Sequence, residues 1–142
     1  MTTILVIDDE ECIRSLIRDL LQGPGCRVLE AGNHGAGMVV AREQQPNLIL
    51  LDYLLPEASG LDVLNALAAD PCTAGIPVIV MSGMAPDASL LGVLASSAVR
   101  FLMKPFSSAQ LHATIQEALS PSAADMAERA TAHERTAAAH VC

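Results

Sequence analysis

Short runs of apolar residues recur along the chain, each bounded by turn-forming or acidic residues. Four runs are strongly apolar, at positions 4–7, 48–51, 78–81 and 101–103, and a weaker run lies at 27–30. Because the runs are continuous rather than alternating, they indicate strands that are buried on both faces. The pattern therefore predicts the strands of a parallel sheet.

Stretches with helical spacing of apolar residues lie between these strands. The first covers 10–22, ends at a Gly-Pro-Gly turn, and has one apolar stripe of Ile13, Leu16, Ile17, Leu20 and Leu21. Further helices are predicted at 33–44 with Asn33 as the cap, from about 60 to 70, after 87, and from 107 or 108 to 120. Five strands alternating with five helices predict an α/β fold with right-handed crossovers, a doubly wound parallel sheet and helices on both faces.

The chain has 142 residues, the length of one ordinary domain. We assign residues 1–120 to this domain, because the amino-acid composition changes after residue 120. Residues 121–142 are rich in alanine and have few large apolar side chains. We predict that this tail is either disordered or a sixth helix that mediates contact.

The net charge of the chain argues against some classes of binding partner. The formal charge is −8, and eight Lys and Arg residues scattered along the chain build no basic face. This balance argues against nucleic acid and against an anionic membrane surface, and only the tail remains for an output domain. With no secretory signal pattern and no cysteine pair at metal-ligand spacing, we expect reduced thiols and a cytoplasmic protein.

Polar side chains follow the predicted strands at their carboxyl ends. Asp8 and Asp9 follow the first strand, Asp52 the third, Ser82-Gly83 the fourth and Lys104 the fifth. In an open parallel sheet these ends share one edge, where ligands bind. At an effective dielectric of ~20, two carboxylates ~4 Å apart repel by about 4 kcal/mol, which one lysine cannot offset. The all-oxygen set therefore predicts a site for Mg²⁺, with Mn²⁺ as a second possibility.

A carboxylate at such a site can act as a nucleophile toward a phosphoryl group and form an aspartyl phosphate. Asp52 is the best candidate, because it comes from the middle of the strand set and leaves Asp8 and Asp9 to hold the metal. Lys104 and the Ser82 hydroxyl could neutralise the transferring oxygens. Gly83 lets a backbone N–H approach them closely.

The ordered motifs over residues 3–120 resemble the receiver domain of two-component response regulators. The resemblance is carried by the acidic pair 8–9 and by three segments, at 52–60, 76–83 and 101–106. It implies a flavodoxin-like fold with strand order 2-1-3-4-5. It also implies a cis Lys104–Pro105 bond.

The resemblance also implies roles for the strand-end residues. Asp52 would be the phosphoacceptor, and Asp9 and Asp52 would ligate Mg²⁺ with the Leu54 carbonyl, while Asp8 would act through water. The phosphoryl group would contact residues 82 and 104. Phe101 would be an aromatic switch that moves inward when the residue-82 hydroxyl engages the phosphate.

Partners follow from the same resemblance. The phosphoryl donor would be a histidine kinase or a phosphotransfer protein, and an output protein would bind helix four, strand five and helix five, with a homodimer also possible. The domain would accept a phosphoryl group rather than act as an enzyme. Leu54 and Met84 stand where the family controls hydrolysis of the phosphate, and both are apolar, so we predict slow self-dephosphorylation.

Two other functions remain open at this point. A magnesium-dependent phosphatase of the haloacid-dehalogenase type also uses a strand-end Asp, but it needs a second acid where this chain has Leu54. A pseudo-receiver would bind a partner without phosphorylation, and the complete acid and lysine set argues against it. Residues 132–136 of the tail also faintly resemble the phosphoacceptor His segment of a histidine kinase.

Overall fold

The computed structural model describes residues 1–55, 58–96 and 99–119. Five strands alternate with five helices in these residues: β1 (Thr2–Ile7), α1 (Glu11–Leu21), β2 (Cys26–Ala31), α2 (His34–Gln44), β3 (Leu48–Asp52), α3 (Gly60–Ala69), β4 (Val78–Ser82), α4 (Ala88–Ser96), β5 (Val99–Met103) and α5 (Ser108–Leu119). Neighbouring strands pair in parallel, in the order β2-β1-β3-β4-β5. This confirms the predicted doubly wound, flavodoxin-like sheet; the tail at 121–142 lies outside the described residues.

The sheet separates two apolar layers, because successive strand residues point to opposite faces. In β1, Leu5 and Ile7 pack with residues of α2, α3 and α4, whereas Ile4 and Val6 pack with residues of α1 and α5. Strands β3 and β4 are buried along their whole length. The edge strands β2 and β5 are only partly buried, which explains why β2 gave the weakest sequence signal.

The predicted apolar stripe of α1 is wrong at one position. Leu16 is 48% exposed, whereas Ile17 is fully buried and Ile13 packs against the α1 and α5 layer. At about 100° per residue, Leu16 lies roughly 60° to one side of Ile13 around the helix. It therefore stands at the margin of the stripe, where the sheet no longer covers it.

Local features outside the site bear on two smaller expectations, the cap of α2 and the state of the cysteines. The Asn33 side chain accepts a hydrogen bond from the Ala36 N–H at 2.9 Å, so the predicted cap of α2 is present. Cys12 and Cys26 are free thiols, whereas Cys72 is disulfide-bonded, so the expectation of reduced cysteines is wrong for Cys72. None of the helices in the described residues is long and apolar enough to cross a membrane.

Candidate phosphoacceptor site

Three carboxylates meet where β1 and β3 end. Asp8 and Asp9 follow β1, and Asp52 is the last residue of the neighbouring strand β3. One carboxylate oxygen from each of the three lies within 4.8 Å of the others. Asp8 and Asp52 are buried and Asp9 is exposed. The strand ends predicted to share one edge of the sheet therefore bring their acids to one place.

Lys104 brings an ammonium group to the same cluster. Its Nζ lies 2.9 Å from Asp8 Oδ2 and 3.6 Å from Asp52 Oδ1. Its backbone N–H donates to the Ser82 carbonyl at 2.7 Å, and its bond to Pro105 is cis, as the resemblance implied. The sequence placed Lys104 at this edge, but it did not indicate that Asp8 is its nearest partner.

Asp8 is held at several polar atoms. Its backbone N–H donates to the Ala31 carbonyl at 3.1 Å, and its Oδ1 accepts from the Glu10 N–H at 2.9 Å. Its own carbonyl accepts from Arg14 Nη1 at 2.7 Å. With Lys104 on Oδ2, this fully buried carboxylate has fixed partners, as a buried charge requires.

Sequence reasoning missed Arg14. It lies near the N-terminus of α1, where the helix dipole disfavours a cation. A positive residue in the first turns of a helix is opposed by that dipole, so a nearby acid or carbonyl is expected to offset the cost. That mismatch is the signal that could have singled it out.

The charge balance of the cluster is visible at Asp52. Burial, together with the negative charges of Asp8 and Asp9, raises the pKa of this carboxyl to about 6, although Lys104 and a 3.3 Å hydrogen bond from the Leu54 N–H act to lower it. Burial alone would lower the pKa of Lys104, but its contacts with Asp8 and Asp52 outweigh burial and raise it. Negative charge is therefore in excess, and the all-oxygen set fits a divalent cation.

The remaining predicted residues lie at the end of β4 and in β5. Ser82 ends β4 and is buried, with its Oγ accepting from the Met84 N–H at 3.1 Å. A Cβ on Gly83 would meet no atom within 4 Å, so space remains beside its backbone. Phe101 pairs in register with Val80 and packs, half-buried, against the layer of α2, α3 and α4.

Residues 4–116 match the response regulator receiver domain family. The chain belongs to this family. Receiver domains are phosphoacceptor switches of two-component signalling and not enzymes in the ordinary sense, which agrees with the acids and lysine gathered here. Pro56 and Glu57, which belong to the segment 52–60 that carries the resemblance, lie outside the described residues.

Curated relatives of this receiver domain are transcriptional regulators. The KDP operon transcriptional regulatory protein KdpE of Escherichia coli is 34% identical over 119 residues, which are 84% of this chain and 52% of that protein. The phosphate regulon transcriptional regulatory protein PhoB of Pseudomonas aeruginosa is 35% identical over 82% of this chain and 51% of that protein. The chain thus spans about half the length of these relatives.

Solved structures give the same fold. A CheY-like response regulator receiver domain protein from Methanospirillum hungatei superposes with a TM-score of 0.75 at 27% identity, covering 84% of this chain and 94% of that one. The chemotaxis response regulator CheY4 of Vibrio cholerae gives a TM-score of 0.76 at 24% identity, covering 84% of this chain and 99% of that one. The second likeness concerns the fold alone.

The expectation that no nucleic acid is involved is not supported. A further relative, 31% identical over 82% of this chain, is the DNA-binding response regulator MtrA of Mycolicibacterium smegmatis. The net charge was read from the receiver domain and its tail. It carries no information about the other half of such a relative, so the exclusion does not extend to proteins of this kind.

Two exposed apolar side chains follow the strand ends that carry Asp52 and Ser82. Leu54 follows Asp52 by two residues and is 58% exposed, and Met84 follows Ser82 by two residues and is 65% exposed. Neither side chain has a group that donates or accepts strongly. Water beside Asp52 therefore finds no polar side-chain partner at these two positions.

Gly60 lies against the backbone of Tyr53, the residue that follows Asp52. Its N–H donates to the Tyr53 carbonyl at 2.7 Å, and a Cβ on Gly60 would lie 2.7 Å from Tyr53 Cα. No side chain fits in that space. Tyr53 Oη in turn donates to Asp87, the residue whose Oδ1 caps the first turn of α4, at 3.4 Å.

Proposed function

We propose that this receiver domain is a phosphoacceptor switch in a two-component phosphorelay, and that Asp52 receives the phosphoryl group from a histidine kinase or a phosphotransfer protein. One observation carries the proposal. A buried carboxylate at the end of a central strand lies within 4.8 Å of two further carboxylates and 3.6 Å from a lysine Nζ. A structural ion pair would not require three acids for one base.

The transfer is a substitution at phosphorus. An oxygen of ionised Asp52 attacks the phosphorus of a phosphohistidine, the P–N bond breaks, and a P–O bond forms. The imidazole leaves as a neutral ring because its other nitrogen keeps a proton. The product is an acyl phosphate on Asp52. The negative charge of this phosphoryl group must be neutralised by groups that are already in place.

The chain supplies those groups at one edge of the sheet. Asp9 and Asp52 would hold Mg²⁺, or Mn²⁺, with the Leu54 carbonyl, and Asp8 would act through water. The bound ion would neutralise charge on the transferring oxygens. Lys104, with the Ser82 hydroxyl and the Gly83 N–H, would bind the phosphoryl oxygens from the other side.

The signal would pass to a partner through a surface formed by the elements that follow Ser82 in the chain. The proposed output face comprises α4, β5 and α5, with Phe101 of β5 as its switch. Helix α4 has no charged residue, and its Leu91 is 54% exposed. Such a face suits an output protein or a second copy of the chain. We assign this role to a cytoplasmic domain at 1–120, with 121–142 as a separate tail.

Intact-mass analysis tests the proposal. The chain is incubated with acetyl phosphate and Mg²⁺, alongside Asp52→Asn and the matched control Asp62→Asn, which removes an exposed carboxyl from α3. We expect one added phosphoryl group on the native chain and on the control, and none on Asp52→Asn. Multiple turnover of the donor would instead favour the phosphatase, and no addition to any chain would favour the pseudo-receiver.

A further inference from the structure

An arginine outside the acidic cluster contacts the peptide that joins two of its members. Arg14 Nη1 donates to the Asp8 carbonyl at 2.7 Å, and the arginine side chain is only 18% exposed. That carbonyl belongs to the planar unit between Asp8 and Asp9. A hydrogen bond to this oxygen therefore fixes the orientation of the peptide plane that precedes the Asp9 Cα.

The guanidinium is itself fixed from β2. Arg14 Nε lies 3.4 Å from Glu30 Oε1, and Glu30 Oε2 accepts from Arg18 Nη1 at 2.7 Å. Glu30 pairs in register with Val6 of β1, two residues before Asp8. Gly32 adds to this fit, because a Cβ there would lie 3.4 Å from Arg14 Nη1.

We propose that Arg14 is a positioning residue for the magnesium site: held by Glu30, it orients the Asp8–Asp9 peptide so that the Asp9 carboxylate faces Asp52. The inference rests on the proposed function. Asp8 is fixed through Ala31, Glu10 and Lys104 as well, whereas Asp9 is exposed. Asp9 is therefore the member of the cluster whose direction depends most on the backbone before it.

Orientation rather than charge is the expected role of Arg14. Glu30, which Arg14 shares with Arg18, offsets part of the positive charge of Arg14. A rigid planar fork can donate to a carbonyl and face a carboxylate at once, which the single ammonium of a lysine does less well. Groups that hold metal ligands in place without contacting the metal typically lower metal affinity by about 10–100-fold when they are removed.

The test compares Arg14→Gln with Arg18→Gln. Arg18 binds the same Glu30 but makes no described contact with Asp8. Its side chain is 42% exposed, so its ion pair adds little to the stability of the fold. Mg²⁺ affinity is measured by calorimetry and by the emission of Tyr53, the single tyrosine of a chain without tryptophan, which directly follows Asp52. The free energies of unfolding of both variants, measured in EDTA, check that each variant folds.

We expect Arg14→Gln to weaken Mg²⁺ binding about 10-fold or more, while Arg18→Gln binds like the native chain. Arg14→Lys should recover only part of the loss. With acetyl phosphate, the Mg²⁺ concentration that gives half the maximal phosphorylation rate should rise for Arg14→Gln. The rate at saturating Mg²⁺ should return close to the native value, which partial unfolding would not allow.

Equal Mg²⁺ affinities of Arg14→Gln, Arg18→Gln and the native chain would overturn the inference. Full recovery in Arg14→Lys would also overturn it, because charge alone would then suffice. Both results leave the proposed function standing, provided that the native chain binds Mg²⁺ and gains a phosphoryl group. If the native chain does neither, the proposed function has failed, whatever the variants do.

Discussion

The Lys104 ammonium lies closer to Asp8 than to the proposed phosphoacceptor. Its hydrogen bond to Asp8 Oδ2 is 2.9 Å long, while Asp52 Oδ1 is 3.6 Å away. Asp52 is thus less completely neutralised than Asp8, which agrees with the raised pKa of its carboxyl. The group proposed to react is the buried acid of the cluster that its neighbours satisfy least.

Asp52→Asn should stabilise the metal-free protein at neutral pH. The pKa of Asp52 is raised from an ordinary 3.8 to about 6 in the folded state. Folding therefore favours the protonated carboxyl, and the contribution of this group to the free energy of unfolding is complete below about pH 4 and is lost as pH rises through about 6. The loss amounts to at most about 3 kcal/mol. Denaturant unfolding in EDTA, compared with Asp62→Asn, should show a variant-minus-native difference that grows between pH 4 and 7. A difference independent of pH would contradict this.

Lys104→Met should destabilise the metal-free protein and tighten Mg²⁺ binding. Asp8, fully buried, would lose its charged partner, at a cost of about 1–3 kcal/mol. Mg²⁺ would then offset part of that loss. The free energy of unfolding, measured with EDTA and with Mg²⁺, checks both effects. Arg42→Met is the control, because the Arg42 side chain is 58% exposed and its 2.9 Å pair with Asp70 stabilises the fold by ~0–1 kcal/mol. A variant as stable as the native chain would refute the prediction.

Gly60→Ala should destabilise the fold by about 1–3 kcal/mol and slow phosphorylation. The added Cβ would lie 2.4 Å from Tyr53 Cδ1 and 2.7 Å from its Cα, so the backbone beside Asp52 must move. Gly92→Ala, in α4, meets nothing within 4 Å and should instead stabilise by about 0.5–1 kcal/mol. Thermal unfolding and acetyl phosphate kinetics compare the two. Similar behaviour of both variants would show that the close approach is unimportant.

The phosphorylated chain should lose its phosphoryl group slowly. Leu54 and Met84 are exposed and apolar, so neither can hold a water for attack on the acyl phosphate. Leu54→Asn should shorten the lifetime, and Leu91→Asn, a similar change on α4, should not. Intact mass followed over time after donor removal measures both. A native lifetime of only seconds would show that the two apolar residues do not protect the phosphate.

Several features of the site could be predicted from the sequence because they depend on the order of elements. Once Asp8, Asp52 and Lys104 each follow a strand of one parallel sheet, topology places them at the same edge. The segment at 52–60, which contains Pro56 and Gly60, carried part of the resemblance to receiver domains. The reason for Gly60, its close approach to Tyr53, was visible only in the structure.

The sequence by itself determined the alternation of strands and helices, the sheet that follows from it, and the acids at its edge, because hydrophobic periodicity and strand order are properties of the chain. Only the tertiary structure decided which acid Lys104 contacts, that Arg14 reaches the Asp8 carbonyl, and that Leu16 faces solvent. These outcomes depend on differences of about one ångström in the distances between side-chain atoms, or on a few tens of degrees in the rotation of a helix about its axis. Packing sets such differences, and residue order does not encode them locally.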